Sequence, residues 1–460
     1  MKRKFNIALL LILSIIILFT VTVSSQTITQ QQAIEDLTYL VDRLEEVHPN
    51  IYYHLNKEKA EQKIAEVKTK LNKKDKWTSK EIYRLFAPFV ASFKDGHTLI
   101  SYKVEQSKLN ETEKLIPLAV RIIDGKVLIY KSYTVREIKK GTELLEVNGI
   151  KIDKILNKME SSVSSENRNL AYARIEKSFP IYLWLLYDFK DNYQIKIKDN
   201  KQKISELNLQ GITYKIYSVQ KEKKENKNWT LEFPVKDTAY LTINTFNGSL
   251  KNAFERDMDK YFKEIKERYI NNLFIDISEN GGGNTDLAKY LFEYISDKTY
   301  SLFKEVRMKY SDYALKDRTN MFTKLYYTFK KDRDNIIVFK SDKVVPKEND
   351  LRFKGNVYVI TSDFTFSTAT DFAAIVKDHK VGTIIGEETG GLASCYGDMI
   401  VGNLPNSNLP FGVSYKYFLR PAGFDDGGGV KPDIKIDISE LKYWYTLDSY
   451  KNMIIKSIIY

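Results

Sequence analysis

Along the 460-residue chain the pattern of apolar and polar positions changes character three times. From Thr29 to about Phe93 it is helical: Ile34, Leu37, Leu40, Val41 and Leu44 recur at the three- and four-residue steps of one helix face. His48-Pro49 closes that helix, because proline has no N–H to give and crowds the preceding turn. The same spacing predicts a second helix over about 58–71. A third begins at Ser79, a candidate N-cap, and carries Ile82, Leu85, Phe86 and Phe89 inward.

Between about 110 and 205 the pattern shortens to runs of strand length. Residues 116–120 and 127–130 read as strands joined by Asp124-Gly125, and 144–152 reads as strand, Asn148-Gly149 turn and strand. A helix follows from about 155. These features predict a small, separate β-rich module. The phrase from Gly141 to Gly149 resembles the corresponding turn of PDZ domains, which bind peptide C-termini as an added strand.

Beyond a charged stretch at 221–227, which reads as a linker, buried strands alternate with amphipathic helices. A strand at 239–243 precedes a helix at 253–268 with Phe254, Met258, Tyr261, Phe262 and Ile265 on one face. A strand at 273–277 then runs into the turn Ser278-Glu279-Asn280-Gly281-Gly282-Gly283-Asn284 and a helix at 287–295. Further on, Val357, Val359 and Ile360 form a strand that turns at Ser367 into a helix buried through Phe372, Ala373, Ile375 and Val376. This is the pattern of an α/β domain.

Composition sets limits. With 43% hydrophobic and 29% charged residues the chain is globular, and its length suits two to four domains. The net charge is +12, but the basic residues are dispersed, without the basic stripe and interleaved aromatics of a nucleic-acid binder. Lys2 to Lys4 and the apolar run from Ile7 to Val23 read as an export leader over 1–25, either cleaved or kept as an anchor. No later segment suits a membrane span. Cys395 is the only cysteine, which excludes an intrachain disulfide and a multi-cysteine metal site.

Candidate chemistry gathers at the turns. A hydroxyl at Ser367 stands where unpaired N–H groups and the helix dipole favour negative charge, as a nucleophile that generates an oxyanion requires. The bland alternative is that Thr365 or Ser367 merely caps the helix. The three glycines at 281–283 either bring backbone N–H groups close to a ligand or make a tight turn. His97 follows Asp95-Gly96 and gains meaning only if a nucleophile elsewhere needs a base. His48 and His54 read as structural.

Taken together, the order Asp95-Gly96-His97-Thr98, the PDZ-like module, Asp276 to Gly283, Thr365-Phe366-Ser367-Thr368-Ala369, Gly386-Glu387-Glu388-Thr389-Gly390-Gly391 and Gly429-Val430-Lys431-Pro432-Asp433 resembles the serine peptidase family of the carboxy-terminal processing proteases and tricorn protease. Glu46-Val47-His48-Pro49-Asn50 fits the same resemblance. It implies an α/β catalytic core at 206–460 related to the Clp protease and crotonase folds, an N-terminal helical region at 26–108 carrying His97, and the PDZ-like module at 109–205. Ser367 is the implied nucleophile, with Gly281, Gly282 and Thr368 as the oxyanion hole.

Thr370 departs from the Glu that many relatives carry. Processing proteases use a Lys about 25 residues past the Ser; here Leu392 aligns with it, and no Lys occurs from Val381 to Tyr415. The tricorn-like alternative takes His97 as base and Asp426 as the acid that orients it, with Asp425 as the other choice. The implied function is an exported serine endopeptidase acting on unfolded or C-terminal polypeptide segments, without metal or cofactor and without nucleic-acid partners. A non-catalytic carrier on the same scaffold is the alternative, since retinoid-binding proteins of the eye resemble this fold. Substrate preference and oligomeric state are not legible.

Overall fold

A computed structural model of the chain describes residues 27–103, 113–134, 137–222, 227–315, 327–332 and 334–459. The expected leader, and residues 223–226 of the expected linker, lie outside them.

The first helix, Gln30–Val47, starts in a capping box: Thr29 accepts from the Gln32 N–H while the Gln32 side chain accepts from the Thr29 N–H. Its Leu37, Leu40, Leu44 and Val47 are buried, and it stops at His48, as the proline requires. Lys57–Leu71 and Ser79–Ala91 complete the helical region. The third helix is capped by Thr78, not Ser79. Thr78-x-x-Glu81 forms the reciprocal pair, with Glu81 N–H to Thr78 Oγ1 at 3.3 Å and Thr78 N–H to the Glu81 carboxylate at 2.9 Å.

The module that follows holds an antiparallel sheet in the order Leu118–Ile123, Lys126–Ser132, Glu143–Val147, Asn192–Lys198 and Ile204–Gln210, with Ile150–Lys151 pairing at the side. It also contains the helices Ile152–Glu160 and Arg168–Leu186. The longer one is hidden from the apolar pattern because its backbone breaks at Ser178, ahead of Pro180, so that Leu170, Ala171, Ala173 and Ile175 before the break do not share one period with Phe179 and Leu183 to Leu186 after it. Its apolar residues and those of the sheet merge with Leu37, Leu44, Phe86 and Val90 of the N-terminal helices into one continuous core.

The α/β domain is built on a sheet in the order Trp229–Val235, Thr238–Ile243, Asn272–Asp276, Asn356–Thr361, Thr383–Gly386 and Ile434–Lys435, parallel throughout except for the first strand. Successive side chains point to opposite faces, so the strands split cleanly between two cores. Leu241, Leu273, Ile275, Val357 and Val359 pack under Lys251–Glu267, Thr285–Glu293 and Thr368–Asp378. Tyr240, Phe274, Ile360 and Ile385 pack under the C-terminal helices Ile438–Trp444 and Leu447–Ile459. Covered on both faces, these strands read as near-continuous apolar runs, and the α/β class expected from the sequence is the one found.

A second, antiparallel sheet orders Ile336–Lys340, Glu305–Lys309, Pro410–Leu419 and Cys395–Asn403. The two-residue strand Leu99–Ile100 adds to Pro410–Leu419, with Leu99 opposite Gly412 and Ile100 opposite Phe411. That pairing carries the histidine turn from the N-terminal region onto the α/β domain. None of the described helices is long and apolar enough to cross a membrane.

Candidate active site

Strand Asn356–Thr361 ends in a tight turn held by hydrogen bonds to its neighbours. Thr365 Oγ1 accepts from the Ser362 N–H at 3.0 Å and donates to the Ile277 carbonyl at 3.1 Å, and the Phe366 N–H donates to the Asn280 carbonyl at 3.1 Å. Thr370 donates back to the Thr365 carbonyl at 3.1 Å, so the threonine in place of Glu staples the turn to the helix it opens. Braced in this way, Ser367 holds φ +56° and ψ −132°, a conformation that costs a non-glycine residue about 1–3 kcal/mol. It is the N-cap residue of Thr368–Asp378, yet its side chain makes no cap hydrogen bond. Its Oγ lies instead 3.0 Å from His97 Nε2.

The glycine turn packs directly on this serine. Gly282 has φ +96°, and a Cβ there would fall 2.7 Å from Ser367 Cβ and 2.7 Å from the Phe366 carbonyl oxygen. Only glycine permits that approach. The Gly282 N–H is already committed to Asn280 Oδ1 at 2.8 Å. Gly281, one residue earlier, is exposed and has nothing within 4 Å of its would-be Cβ. Thr368 is the first residue of its helix, where the N–H has no intrahelical acceptor, and its Oγ1 donates to the Gly283 carbonyl at 2.8 Å.

His97 is buried and stacks on Phe366 at 4.5 Å between ring centroids. Its position is fixed through Asp95. The Asp95 carboxylate accepts from the His97 main-chain N–H at 2.9 Å, Thr98 Oγ1 at 2.5 Å, Ser414 Oγ at 2.6 Å and His48 Nε2 at 3.2 Å. His48 Nδ1 accepts from the Asn50 N–H at 3.0 Å, so its proton sits on Nε2 and points at Asp95. Burial works to raise the Asp95 carboxyl, but the His48 contact and the other donors hold it well below the usual carboxylate range. Burial lowers the basicity of His97, with Asp95 partly offsetting it and Arg174 adding to it. The Tyr396 carbonyl also favours the protonated ring, but no acceptor meets hydrogen-bond geometry at Nδ1.

The structure therefore brings together Ser367, His97, Thr368 and the glycine turn, and it does not bring Asp426 to them. Asp426 lies on an exposed loop, where its carboxylate accepts from the Gly428 N–H at 3.3 Å and sits 3.5 Å from Lys431 Nζ. Asp425, the other choice, accepts from Tyr417 Oη at 2.7 Å and the Gly427 N–H at 2.9 Å. Neither carboxylate hydrogen-bonds the imidazole. Both are satisfied by their own turn and its nearest neighbours. Leu392 is half-buried and its main chain bridges to Gly429. Two surface cavities of about 1080 and 1210 Å³ are lined by neither Ser367 nor His97.

One group beside the imidazole was not marked by the sequence. Glu166, in the loop ahead of Arg168–Leu186, places a carboxylate oxygen within 4.8 Å of a ring nitrogen of His97 and of an Asp95 oxygen. Its Oε2 would lie 2.7 Å from a Cβ on Gly96, which explains the glycine before His97. The loop around it, Ser161 to Asn167, has no periodicity and no motif, so only the folded chain reveals the neighbour.

Residues 237–436 match the model of peptidase family S41. Among solved structures, mature CPAF matches with a TM-score of 0.67 at 15% identity, covering 93% of this chain and 96% of that one. CPAF complexed with lactacystin matches with 0.68 at 15% identity over 93% and 97%. The photosystem II D1 C-terminal processing protease matches more loosely, with 0.45 at 16% identity over 90% and 94%. Among curated proteins none matches the sequence. The chain has the CPAF fold over nearly its whole length, and its segment 237–436 matches peptidase family S41, the serine peptidases expected from the order of its motifs.

Proposed function

We propose that the chain is an endopeptidase that hydrolyses unfolded or C-terminal polypeptide segments through an acyl-enzyme on Ser367. His97 Nε2 takes the Ser367 proton as Oγ attacks the substrate carbonyl carbon. The carbonyl oxygen becomes an oxyanion beside the Thr368 N–H and the exposed Gly281 N–H, since the Gly282 N–H is spent on Asn280. The imidazolium then gives its proton to the leaving amine nitrogen. Water then loses a proton to His97 as it attacks the acyl carbon, and the imidazolium returns that proton to Ser367 Oγ as the C–Oγ bond breaks and the acid leaves.

The observation that carries this reading is the 3.0 Å contact between Ser367 Oγ and His97 Nε2, made by a serine that forgoes its cap bond and sits at positive φ. A carrier needs neither feature. The preference for chain ends rests on the module between His97 and the catalytic domain. A site outside the cytoplasm, periplasmic or extracellular, rests on Lys2 to Lys4 and the apolar run after them, and the chain stays at the membrane if that leader is kept. The test is a fluorophosphonate probe applied to the purified chain, followed by peptide mapping. The label is expected on Ser367 and nowhere in a Ser367→Ala variant. A chain that cleaves unfolded substrate yet leaves Ser367 unlabelled contradicts the proposal.

A further inference from the structure

Transfer of the Ser367 proton turns His97 into an imidazolium inside the protein, and a charge formed there needs a partner. Asp95 cannot turn to it: its two oxygens already take four donors and hold the main chain of the turn. Asp425 and Asp426 are committed elsewhere. Arg174 faces the ring from the Arg168–Leu186 helix, donating to the Gly96 and Ser164 carbonyls and stacking on Phe366 at 4.6 Å; its charge works against an imidazolium. Asp398, from Cys395–Asn403, favours the imidazolium through space but is exposed and paired with Lys416 at 2.6 Å.

Glu166 differs from all of these. Both of its carboxylate oxygens are shut off from solvent and neither has a hydrogen-bond partner among the described residues. The amides of Gly96 and of Glu166 itself face the carboxyl without reaching bonding geometry. An unpaired buried carboxyl is costly, and within 4.8 Å of it lies a ring nitrogen of His97, a histidine whose Nδ1 is equally unpaired and whose Nε2 holds the nucleophile. Among the described residues no hydrogen bond holds the Glu166 side chain in place, so a rotation about its own torsions can bring it onto the ring from its place within 4.8 Å as charge develops.

We infer that Glu166 is the positioning acid of this site, the carboxylate that orients His97 and stabilises the imidazolium formed when Ser367 is deprotonated. The inference rests on the Ser367–His97 reading above. It assigns to a loop of the inserted region the part that the motif order gave to Asp426.

The titration behaviour agrees. Burial, and then the charge of Asp95, push the Glu166 carboxyl up to about 7, with Arg174 opposing them, whereas burial moves His97 down. Two such close groups titrate as a pair. The working form, neutral His97 beside ionised Glu166, is complete only once the pair has lost its last proton, near pH 7. With glutamine at 166 the imidazole titrates alone and lower.

The experiment measures kcat and KM against pH for the full chain, Glu166→Gln, Glu166→Asp, His97→Ala and Asp426→Ala. Glu166→Gln is expected to lose on the order of 10²–10⁴-fold in kcat with KM little changed, and to move the acid limb of the profile to lower pH. Glu166→Asp should recover part of the loss. Asp426→Ala should stay within about threefold of the parent. To separate the two readings, His97 is titrated by NMR in the inert Ser367→Ala background, where Glu166→Gln should lower the imidazole pKa. A Glu166→Gln enzyme with parental kcat and an unmoved limb overturns the inference, and an unchanged His97 titration does so independently of turnover. A His97→Ala enzyme that keeps its activity overturns the Ser–His reading instead.

Discussion

Ser414 Oγ donates to Asp95 Oδ2 at 2.6 Å, and through that bond a strand of the catalytic domain holds the turn that delivers the base. The Ser414 N–H also donates to Thr98 Oγ1 at 3.1 Å. His97 is therefore placed by contacts across the sheet-to-turn seam as well as by its own segment. Asp95→Ala leaves the His48 donor and two hydroxyls buried without an acceptor, and is expected to cost about 3–5 kcal/mol in urea unfolding. Because the folded carboxyl lies below its usual range, its stabilisation is present above about pH 4 and is lost as the pH falls further. An Asp95→Ala chain as stable as the parent at pH 7 would show that the turn is held by other means.

The glycine turn gives a sharper contrast between neighbours. Gly282→Ala drives a methyl group into Ser367 and the Phe366 carbonyl at positive φ, so kcat should fall by at least about 10²-fold. Gly281→Ala meets nothing and should retain most of the activity. Equal effects of the two substitutions would mean that the turn does not pack on the nucleophile as described.

Much of this was legible before folding. Strands buried on both faces read as apolar runs, and the amphipathic Lys251–Glu267 helix shows Phe254, Met258, Phe262 and Ile265 at helical steps. Ser367 was findable because a strand, a turn and a helix put hydroxyls at the junction, and the order of the motifs around it singled out this one. Arg168–Leu186 was not, since a break at Ser178 interrupts the period of its apolar face. Glu166 was not, because its meaning comes from Gly96 and His97 lying against it across the fold. Asp426 was marked by its distance from Gly429-Val430-Lys431-Pro432-Asp433, and a position in a motif does not say which way a loop turns.

Glu166 should also reveal itself in stability. Its folded pKa of about 7 lies above the unfolded value, so the stability present below about pH 4.5 is lost as the pH rises to 7. Glu166→Gln removes that penalty and should gain about 1–3 kcal/mol at pH 8, measured by denaturant midpoint, while it loses activity. A variant that is no more stable than the parent at pH 8 would argue that the carboxyl is solvated or paired.

Leu392, which aligns by motif order with the lysine of a Ser–Lys enzyme, is half-buried. Leu392→Lys should bring no increase in rate and should not rescue His97→Ala. Rescue would identify lysine as the base this scaffold prefers.

The inserted module predicts a preference for chain ends. Peptides with a free C-terminal carboxylate should inhibit cleavage of long substrates more strongly than their amidated forms. Equal inhibition by both removes carboxylate capture from the account.

The central claim is that Ser367 and His97 act as one unit, and single-turnover acylation of Ser367→Ala, His97→Ala and the double variant tests it most directly. Each single substitution should slow acylation on the order of 10⁴-fold or more, with the double variant little worse than either. A His97→Ala chain that acylates near the parental rate while Ser367→Ala does not would contradict it.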